Sequence, residues 1–211
     1  MQIIHEEVIF DIGSVSQTSG FSQLYNEVLA AIKKTDWPEG SGNFTIKPIK
    51  HENGVKPIKI PFIKHLKNAG WNLETVIDYG VTKRNPGPVD ATHPFNDKLF
   101  AVEWETGNIS SSHRALSKLA IGISKGILSV GILVLPSRKL YNFLTDRVGN
   151  YQELEPYFDM YRLVNCHYGL FKVIEVEHDI ESHDVPSIPK GDDGNALYQK
   201  RLAELRNSSK I

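Results

Sequence analysis

The sequence of 211 residues lacks several features, and each absence excludes a class of protein. It has a single cysteine, Cys166, which excludes an internal disulfide and favours a reducing compartment. Its beginning has neither a basic segment nor a long apolar run, so no signal peptide is expected. The longest apolar stretch, residues 127–136, is too short to span a bilayer. These absences predict a cytoplasmic protein without a membrane partner.

An excess of charge of one sign is also lacking, because 24 Lys and Arg residues nearly balance 25 Asp and Glu residues. The formal net charge of −1 gives no global basic field that would mark a nucleic-acid partner, although local charge matters more than the total. Residues 46–68 contain one acid, Glu52, and the lysines Lys47, Lys50, Lys56, Lys59, Lys64 and Lys67. This window predicts either a solvated surface or contacts to phosphate groups.

The spacing of apolar residues indicates an α/β fold in one domain. With 40% hydrophobic and 23% charged residues, residues 1–211 are expected to form a single globular unit. Apolar residues that recur every three or four positions predict helices at 21–34, 60–69, 111–125, 137–144 and 153–163. Apolar runs predict strands at 99–102, 127–135 and 171–177. The order strand, helix, buried strand, helix is typical of a layered α/β fold, and residues 186–211 are predicted to form a mobile C-terminal arm.

The most informative segment is Asp90, followed by Glu103-Trp104-Glu105. Residues 99–102 predict a strand that leads into Glu103, and side chains two residues apart on a strand share a face. Glu103 and Glu105 are therefore expected to lie on one face. The turn Pro86-Gly87-Pro88 precedes Asp90, and the chain can then fold back to bring Asp90 beside that strand. The segment predicts three converging carboxylates, although a Glu-x-Glu pair on a strand more often marks a solvated face.

Polar residues suited to contacts with nucleic-acid bases follow this strand. Asn108, Ser110 and Arg114 lie in the next turn and the first turns of a helix, and Asp146-Arg147 lie where a later helix gives way to a loop. Arg forms paired hydrogen bonds with guanine, Asn with adenine, and Asp accepts from cytosine N4. Asp146-Arg147 suits one G·C pair, and a surface ion pair is the alternative. Carboxylates that hold a divalent metal beside such groups indicate a metal-dependent DNA-cleaving enzyme.

The carboxylate spacing resembles that of the PD-(D/E)xK nucleases, in which an Asp is followed by Glu-x-Lys on a strand. The sequence departs from this pattern because Val89 separates Pro88 from Asp90 and because Glu105 occupies the Lys position. With these departures, residues 103–114 and Lys118 closely resemble the BamHI family of type II restriction endonucleases. Further collinear blocks are Tyr25-Asn26-Glu27-Val28, Trp37-Pro38, Phe44-Thr45-Ile46, Pro57-Ile58-Lys59, Leu144-Thr145-Asp146-Arg147-Val148, Glu153-Leu154-Glu155-Pro156-Tyr157-Phe158, and Ile188-Pro189-Lys190-Gly191 with Asp193-Gly194.

The resemblance implies a restriction-endonuclease core, with a central mixed β-sheet flanked by helices on both faces. It also implies a homodimer that cuts double-stranded DNA at GGATCC with Mg²⁺ and leaves four-base 5′ ends (G^GATCC). Asp90 and Glu103 are the expected metal ligands, with Glu74 as a further acidic ligand. Glu105 is expected to accept a proton, to orient the attacking water or to bind a second metal. The expected DNA contacts are Asn108, Ser110, Arg114, Asp146, Arg147, Lys59, Gly191 and Asp193.

Three other functions remain open at this point. A structure-selective repair or recombination nuclease would keep Asp90, Glu103 and Glu105 but would ignore base sequence. A DNA-binding protein without catalysis is opposed by the three carboxylates, and a plasmid digest separates it from a nuclease. A glycosidase could also use paired carboxylates, but the sequence shows no platform for a sugar.

Overall fold

The computed structural model describes residues 1–80, 86–145 and 147–190. The strands are β1 Gln2–Ile12, β2 Thr45–Ile46, β3 Asn72–Thr75, β4 Val89–Phe95, β5 Lys98–Trp104, β6 Leu128–Pro136, β7 Gly169–Glu177 and β8 Ile180–Glu181. The α-helices are α1 Phe21–Lys33, α2 Ile60–Asn68, α3 Ile109–Ser124, α4 Arg138–Tyr141, α5 Tyr151–Leu154 and α6 Phe158–Arg162. Short 3₁₀ helices cover Val15–Gln17, Lys56–Lys59 and Glu155–Tyr157. None of the described helices has the length and apolar character of a membrane span.

A mixed sheet forms the centre of the fold. Within the described residues, six strands are ordered β1-β7-β6-β5-β4-β3, and β2 pairs with β8 in a separate two-stranded sheet. Strand β6 pairs in parallel with both β5 and β7. The pairs β1–β7, β4–β5 and β3–β4 are antiparallel. The mixed sheet expected from the family resemblance is therefore confirmed.

Helices cover both faces of this sheet, because side chains of the fully buried strand β6 alternate between two cores. Val130, Ile132 and Val134 belong to a core that includes residues of α1 and α2. Leu133 and Leu135 belong to a second core, which includes residues of α3, α5 and α6. A strand buried on both faces is the expected structure for a continuous apolar run, so the prediction for residues 127–135 is confirmed.

A tight hairpin brings the two strands that carry Asp90 and Glu103 together. Asn96 and Asp97 form its turn with φ of 49° and 58°, values that Asn and Asp tolerate better than most residues. In the antiparallel register Ala91 lies opposite Val102. The fold-back predicted after Asp90 is therefore confirmed, and it places Asp90 at the same end of the sheet as Glu103.

Helix α3 starts two residues before the predicted position because Asn108 caps it. The Asn108 side chain accepts a hydrogen bond from the Ser111 N–H over 3.0 Å, as an Asn at a helix N-terminus commonly does. The predicted apolar stripe of Leu116, Leu119, Ala120 and Ile123 is buried. The helix thus packs on one face of the sheet directly after the Glu103/Glu105 segment.

Two predicted helices are shorter or broken in the structure. Residues 153–163 do not form one helix, because α5 ends at Leu154 and a 3₁₀ turn precedes α6. Pro156 lies in that turn, and a proline lacks the N–H group that a continuous helix would require. Helix α4 covers only Arg138–Tyr141 of the predicted segment 137–144.

The beginning of the predicted C-terminal arm is anchored. Ile188 is buried, its N–H donates to Asn53 Oδ1 over 3.0 Å, and its carbonyl accepts from the Gly54 N–H over 2.8 Å. Trp37 Nε1 donates to the Pro186 carbonyl over 2.8 Å. Residues 186–190 are therefore held against the body of the protein, and residues 191–211 of the predicted arm lie outside the described residues.

Candidate active site

Asp90 and Glu103 lie on adjacent antiparallel strands and are both buried. Asp90 is 6% exposed and Glu103 is 3% exposed. The Trp104 N–H donates a hydrogen bond to Asp90 Oδ2 over 2.8 Å, which fixes the Asp90 carboxylate at the end of β5. The predicted pair of carboxylates is therefore assembled by the β4–β5 hairpin.

Glu105 follows directly after β5 and brings the third carboxylate to this end of the sheet. Its N–H donates to the Val134 carbonyl over 3.0 Å, which extends the pairing with β6 by one residue. The Gly107 N–H donates to the Glu105 carboxylate. Among the described residues, the buried Oε2 atom of Glu105 has no hydrogen-bond partner. A buried acceptor of this kind is available to a ligand.

Two lysines bind the carboxylates. Lys59 Nζ lies 2.7 Å from Asp90 Oδ1, and the Lys118 ammonium forms an ion pair with Glu103 Oε1. Lys118 Nζ also donates a hydrogen bond to the Pro88 carbonyl over 2.7 Å. Both lysine side chains are largely buried. Lys59, which the sequence suggested as a phosphate contact, thus lies within the carboxylate cluster.

Burial makes the ionised forms of Glu103 and Glu105 less favourable. Burial raises the pKa of Glu103 to about 8, the negative charge of Asp90 adds to this rise, and Lys118 opposes it. Burial also raises the pKa of Glu105, and Lys59 opposes that rise. Groups that are both buried and mutually repulsive favour either a proton or an added cation. The electrostatics therefore suit the binding of a positively charged ligand.

The described side chains do not present a ready set of metal ligands. Within residues 1–80, 86–145 and 147–190, no three His, Cys, Asp or Glu side chains are grouped so that they could hold a metal ion. Asp90 Oδ1 and Glu103 Oε1 instead bind the ammonium groups of Lys59 and Lys118. Glu74 lies on β3 between residues paired with Ala91 and Val89, so the register puts it opposite Asp90. Its backbone has a φ of 49°.

The predicted DNA contacts after β5 lie at the start of α3. Ser110 and Arg114 are exposed, and Asn108 is exposed while its side-chain oxygen caps the helix. Residues 114 and 118 are one helical turn apart, which puts Arg114 on the same side of α3 as Lys118. The exposed predicted contacts therefore adjoin the carboxylate cluster.

A second predicted contact segment packs against the first. Val148 forms an antiparallel bridge with Asn108, and the Gly149 N–H donates to the Gly107 carbonyl over 3.1 Å. A Cβ at Gly149 would lie 2.1 Å from Ser112 Oγ, so this approach requires glycine. Arg147 has a φ of 69° and lies next to this bridge. The structure thus brings Arg147 and Asn108 together, whereas Asp146, Gly191 and Asp193 lie outside the described residues.

Two residues of the site were not predicted as functional from the residues themselves. Lys118 is the partner of Glu103, and its spacing of four from Arg114 was the available signal. Tyr79 is buried, and among the described residues its hydroxyl has no hydrogen-bond partner. Burial and the charge of Glu103 raise the pKa of Tyr79 to about 12. No sequence pattern marked Tyr79, because its position depends on how the chain before β4 packs under α3.

The mixed sheet with paired carboxylates at one end has a counterpart among solved structures. Restriction endonuclease BglII, in a crystal structure with a DNA 16-mer, matches this chain with a TM-score of 0.58 and 12% sequence identity. The match covers 85% of this chain and 81% of that chain. At this identity the likeness shows the fold alone, which is the restriction-endonuclease fold.

Sequence comparison identifies the family. The model of the family described as restriction endonuclease BamHI matches residues 1–195. The type II restriction enzyme OkrAI of Oceanobacter kriegii is 47% identical over 197 residues, which are 93% of this chain and 100% of that protein. The type II restriction enzyme BamHI of Bacillus amyloliquefaciens is 37% identical over 187 residues, which are 85% of each. The chain belongs to the BamHI family of restriction endonucleases.

Proposed function

We propose that this protein is a Mg²⁺-dependent type II restriction endonuclease that hydrolyses double-stranded DNA at the palindrome GGATCC. The observation that carries the proposal is the cluster of the buried Asp90 and Glu103 with the partly buried Glu105, beside the exposed start of α3. The resemblance of residues 103–114 and 144–148 to the BamHI family supplies the site GGATCC and the cut G^GATCC. The BglII relative in fold was crystallised with a DNA 16-mer, which supports DNA as the substrate.

The carboxylate chemistry of the cluster suits a Mg²⁺ ion, although the described side chains are not already grouped as metal ligands. Mg²⁺ prefers hard oxygen ligands, and carboxylates are its usual protein ligands. Asp90 and Glu103 would hold the ion, with Glu74 as a further acidic group near Asp90. The unpartnered Oε2 atom of Glu105 supports the fit, because a buried acceptor without a donor gains from an added cation or a bound water. Two lysine ammonium groups already bound to carboxylates must then be accommodated.

The reaction requires an activated water and stabilisation of the charge that develops on the phosphate. When bound, Mg²⁺ would act as a Lewis acid on a phosphate oxygen. Glu105 orients the attacking water and accepts its proton at Oε2, and burial, which raises the pKa of this carboxyl, makes it a stronger base than an ordinary glutamate. The water oxygen bonds to phosphorus and the bond to the 3′-oxygen breaks. The products are a 5′-phosphate and a 3′-hydroxyl, which takes its proton from solvent.

Base recognition is assigned to the two segments that meet at the Asn108–Val148 bridge. Arg147 is placed on a guanine and Asp146 on the paired cytosine, because Arg and Asp match these base edges in the major groove. Ser110 and Arg114 are assigned to the same side, next to the carboxylates. Lys59, Gly191 and Asp193 complete the proposed contacts.

A homodimer follows from the palindrome, since a two-fold axis presents the same groups to both half-sites. Helix α3, helix α6 and the residue that follows α6 supply exposed apolar side chains for such an interface, namely Ile121, Met160 and Leu163. A groove between these helices is lined by Ser117, Ile121, Met160 and Val164, among others. An apolar surface of this kind on two adjacent helices is suited to burial against a second copy.

Digestion of a DNA of known sequence with Mg²⁺ tests the proposal. Discrete fragments whose ends map to GGATCC, with four-base 5′ extensions, are the expected result. A ladder of fragments would instead identify a nuclease that ignores base sequence, which is the second candidate from the sequence. Stable binding without cleavage would identify a DNA-binding protein without catalysis and would contradict the roles of Asp90, Glu103 and Glu105.

A further inference from the structure

Lys118 is a buried cation of the carboxylate cluster for which the proposed reaction provides no role. Its ammonium binds Glu103 and donates to the Pro88 carbonyl. Only 8% of the Lys118 side chain and 5% of the Glu103 side chain are exposed. A buried ion pair is a weak source of stability, because the desolvation of both charges offsets their attraction. The chemistry of the site therefore offers a stronger reason for the pair than stability does.

A divalent cation and an ammonium group compete for the same carboxylate. Lys118 is bound to Oε1 of Glu103, and the negative charges of Asp90 and Glu105 act on the same carboxylate. A divalent cation carries twice the charge of an ammonium group, and several carboxylates can share it. Two cations at one oxygen atom would repel each other strongly. Binding of a divalent cation through Oε1 of Glu103 therefore requires the ammonium of Lys118 to leave that oxygen.

The surroundings of Lys118 provide a place for the released ammonium. Lys118 borders a cleft of about 420 Å³, which Tyr79, Arg114 and Lys125 also line. Arg114 lies one turn before Lys118 on α3 and is among the proposed DNA contacts. The Lys118 side chain can thus turn toward the side of α3 from which a DNA phosphate would approach, while Pro88 remains an acceptor close by.

The charge of the cluster favours keeping the Lys118 ammonium in the site after it has left Glu103. When all five groups are ionised, three carboxylates and the ammonium groups of Lys59 and Lys118 leave one net negative charge. A phosphodiester brings another negative charge, so it would be repelled. One divalent cation makes the cluster positive by one charge and allows the phosphate to enter with overall neutrality, provided that both ammonium groups remain.

We propose that Lys118 changes its partner when the divalent cation binds. Its ammonium holds Glu103 while no divalent cation is present, the arriving cation displaces it, and it then faces the scissile phosphate. Lys118 thereby supplies a positive charge to the site from α3. In the PD-(D/E)xK pattern this charge comes from a lysine on the strand, and Glu105 occupies that lysine position in this chain. This inference rests on the proposed metal-dependent function, and Lys118 forms no covalent bond in it.

The exchange can be measured on the DNA-free protein by pulsed acylation of lysines, with mass spectrometry as the readout. One sample contains a chelator and the other contains saturating Mn²⁺, whose uptake is measured separately by calorimetry. Lys172 is the matched control, because its side chain is 13% exposed and it is ion-paired with Glu6 instead of a carboxylate of the cluster. The variant Glu103→Gln gives the reactivity of Lys118 without its carboxylate.

Mn²⁺ is expected to speed the acylation of Lys118 by roughly fivefold or more, toward the rate in Glu103→Gln, because a released amine is flexible and accessible. Lys172 is expected to keep its rate. A Lys118 that stays protected in protein with bound Mn²⁺ overturns the exchange and leaves the proposed function intact. If calorimetry finds no uptake of Mn²⁺ by the DNA-free protein, the proposed exchange is overturned, whereas the digestion of DNA with Mg²⁺ decides the metal-dependent function separately. If Glu103→Gln unfolds, which exposure of Lys172 would reveal, the parental protein alone decides the outcome.

Discussion

Asp90 accepts a hydrogen bond from the backbone N–H of Trp104 over 2.8 Å, across the β4–β5 pair. This bond joins the carboxylate of one strand to the residue that separates Glu103 from Glu105 on the next. The tight turn at Asn96 and Asp97 sets the register that makes the bond possible. The geometry of the site therefore depends on a short hairpin within the sheet, and its three carboxylates are placed by 16 residues of local sequence.

Glu103 is expected to make the metal-free protein less stable as the pH rises. Its pKa is raised by burial from an ordinary value near 4.5 to about 8, so the folded state binds its proton more tightly than the unfolded state. The stability that this proton contributes is complete below pH 4.5 and is lost as the pH rises toward 8. The variant Glu103→Gln has no titrating group at this position and does not lose stability in this way. Its free energy of unfolding, taken relative to that of the parent, should therefore increase from pH 5 to pH 8.

Urea unfolding in the presence of a chelator measures this effect at both pH values. The difference in free energy of unfolding between Glu103→Gln and the parent is expected to change by at least about 1 kcal/mol between pH 5 and pH 8. This follows because a pKa change of one unit corresponds to about 1.4 kcal/mol. The exposed Glu153, substituted in the same way, serves as the control. An unchanged difference between Glu103→Gln and the parent at pH 5 and pH 8 would mean that Glu103 is ionised as easily as a surface glutamate.

Two buried tyrosines are expected to respond differently to the loss of a hydroxyl group. The Tyr25 hydroxyl donates to Glu6 and accepts from Lys172 over 3.0 Å, whereas the Tyr79 hydroxyl has no partner among the described residues. Tyr25→Phe should cost about 1–2 kcal/mol, and Tyr79→Phe should be neutral or stabilising by up to about 1 kcal/mol in the metal-free protein. Equal losses in urea unfolding would show that the Tyr79 hydroxyl is satisfied in solution.

Arg147 is expected to discriminate one base pair of the recognition site. Arg147→Ala should lose roughly 1–3 kcal/mol of discrimination at one G·C pair, which is the range for a paired contact to guanine. Arg138 is the matched control, because it is an exposed arginine bound to Glu153 and is not among the proposed DNA contacts. Competition binding with DNA duplexes that differ by one base pair measures both variants. An unchanged preference in Arg147→Ala would reassign Arg147 to a surface ion pair.

The apolar surface of α3 and α6 is expected to form the dimer. Ile121 is 44% exposed there, and Ile49 is 40% exposed in the chain before α2, so the two isoleucines form a matched pair. Ile121→Arg should yield a monomer in sedimentation at micromolar concentration, because a buried unpaired charge is costly at an interface core. Ile49→Arg should remain a dimer. A parental protein that is monomeric with and without DNA would contradict the proposed interface.

The sequence was sufficient to predict the elements whose patterns are local. The apolar run of β6 and the stripe of α3 each follow from one segment and its own periodicity. The edge strand β1 was not predicted, because His5, Glu6 and Glu7 interrupt its apolar residues and only pairing with β7 reveals the strand. An edge strand with charged side chains shows only a weak alternation of apolar and polar residues, because one of its edges and much of one face are exposed to water.

The chemistry of the site was predictable only in part. Asp90, Glu103 and Glu105 could be singled out from their spacing, since strand geometry alone puts the two glutamates on one face. The pairing of Lys118 with Glu103 depends on how α3 crosses the sheet, and the pairing of Lys59 with Asp90 depends on where α2 begins. Such contacts join residues 15 and 31 positions apart, and local patterns contain no information on them.

Cleavage and DNA binding by Glu103→Ala, measured on the same preparation, show whether Glu103 is a metal ligand. A residue that holds the metal and does not position the duplex is needed for cleavage alone, so cleavage at GGATCC should be lost while gel-shift affinity is largely kept. Glu175→Gln is the control, because Glu175 is also a buried glutamate but hydrogen-bonds to Gln152 on the β7 side of the sheet. The control should cut at the parental rate. If Glu103→Ala cuts at more than about a tenth of that rate, a loss below about 1.4 kcal/mol, Glu103 is not a metal ligand of this enzyme.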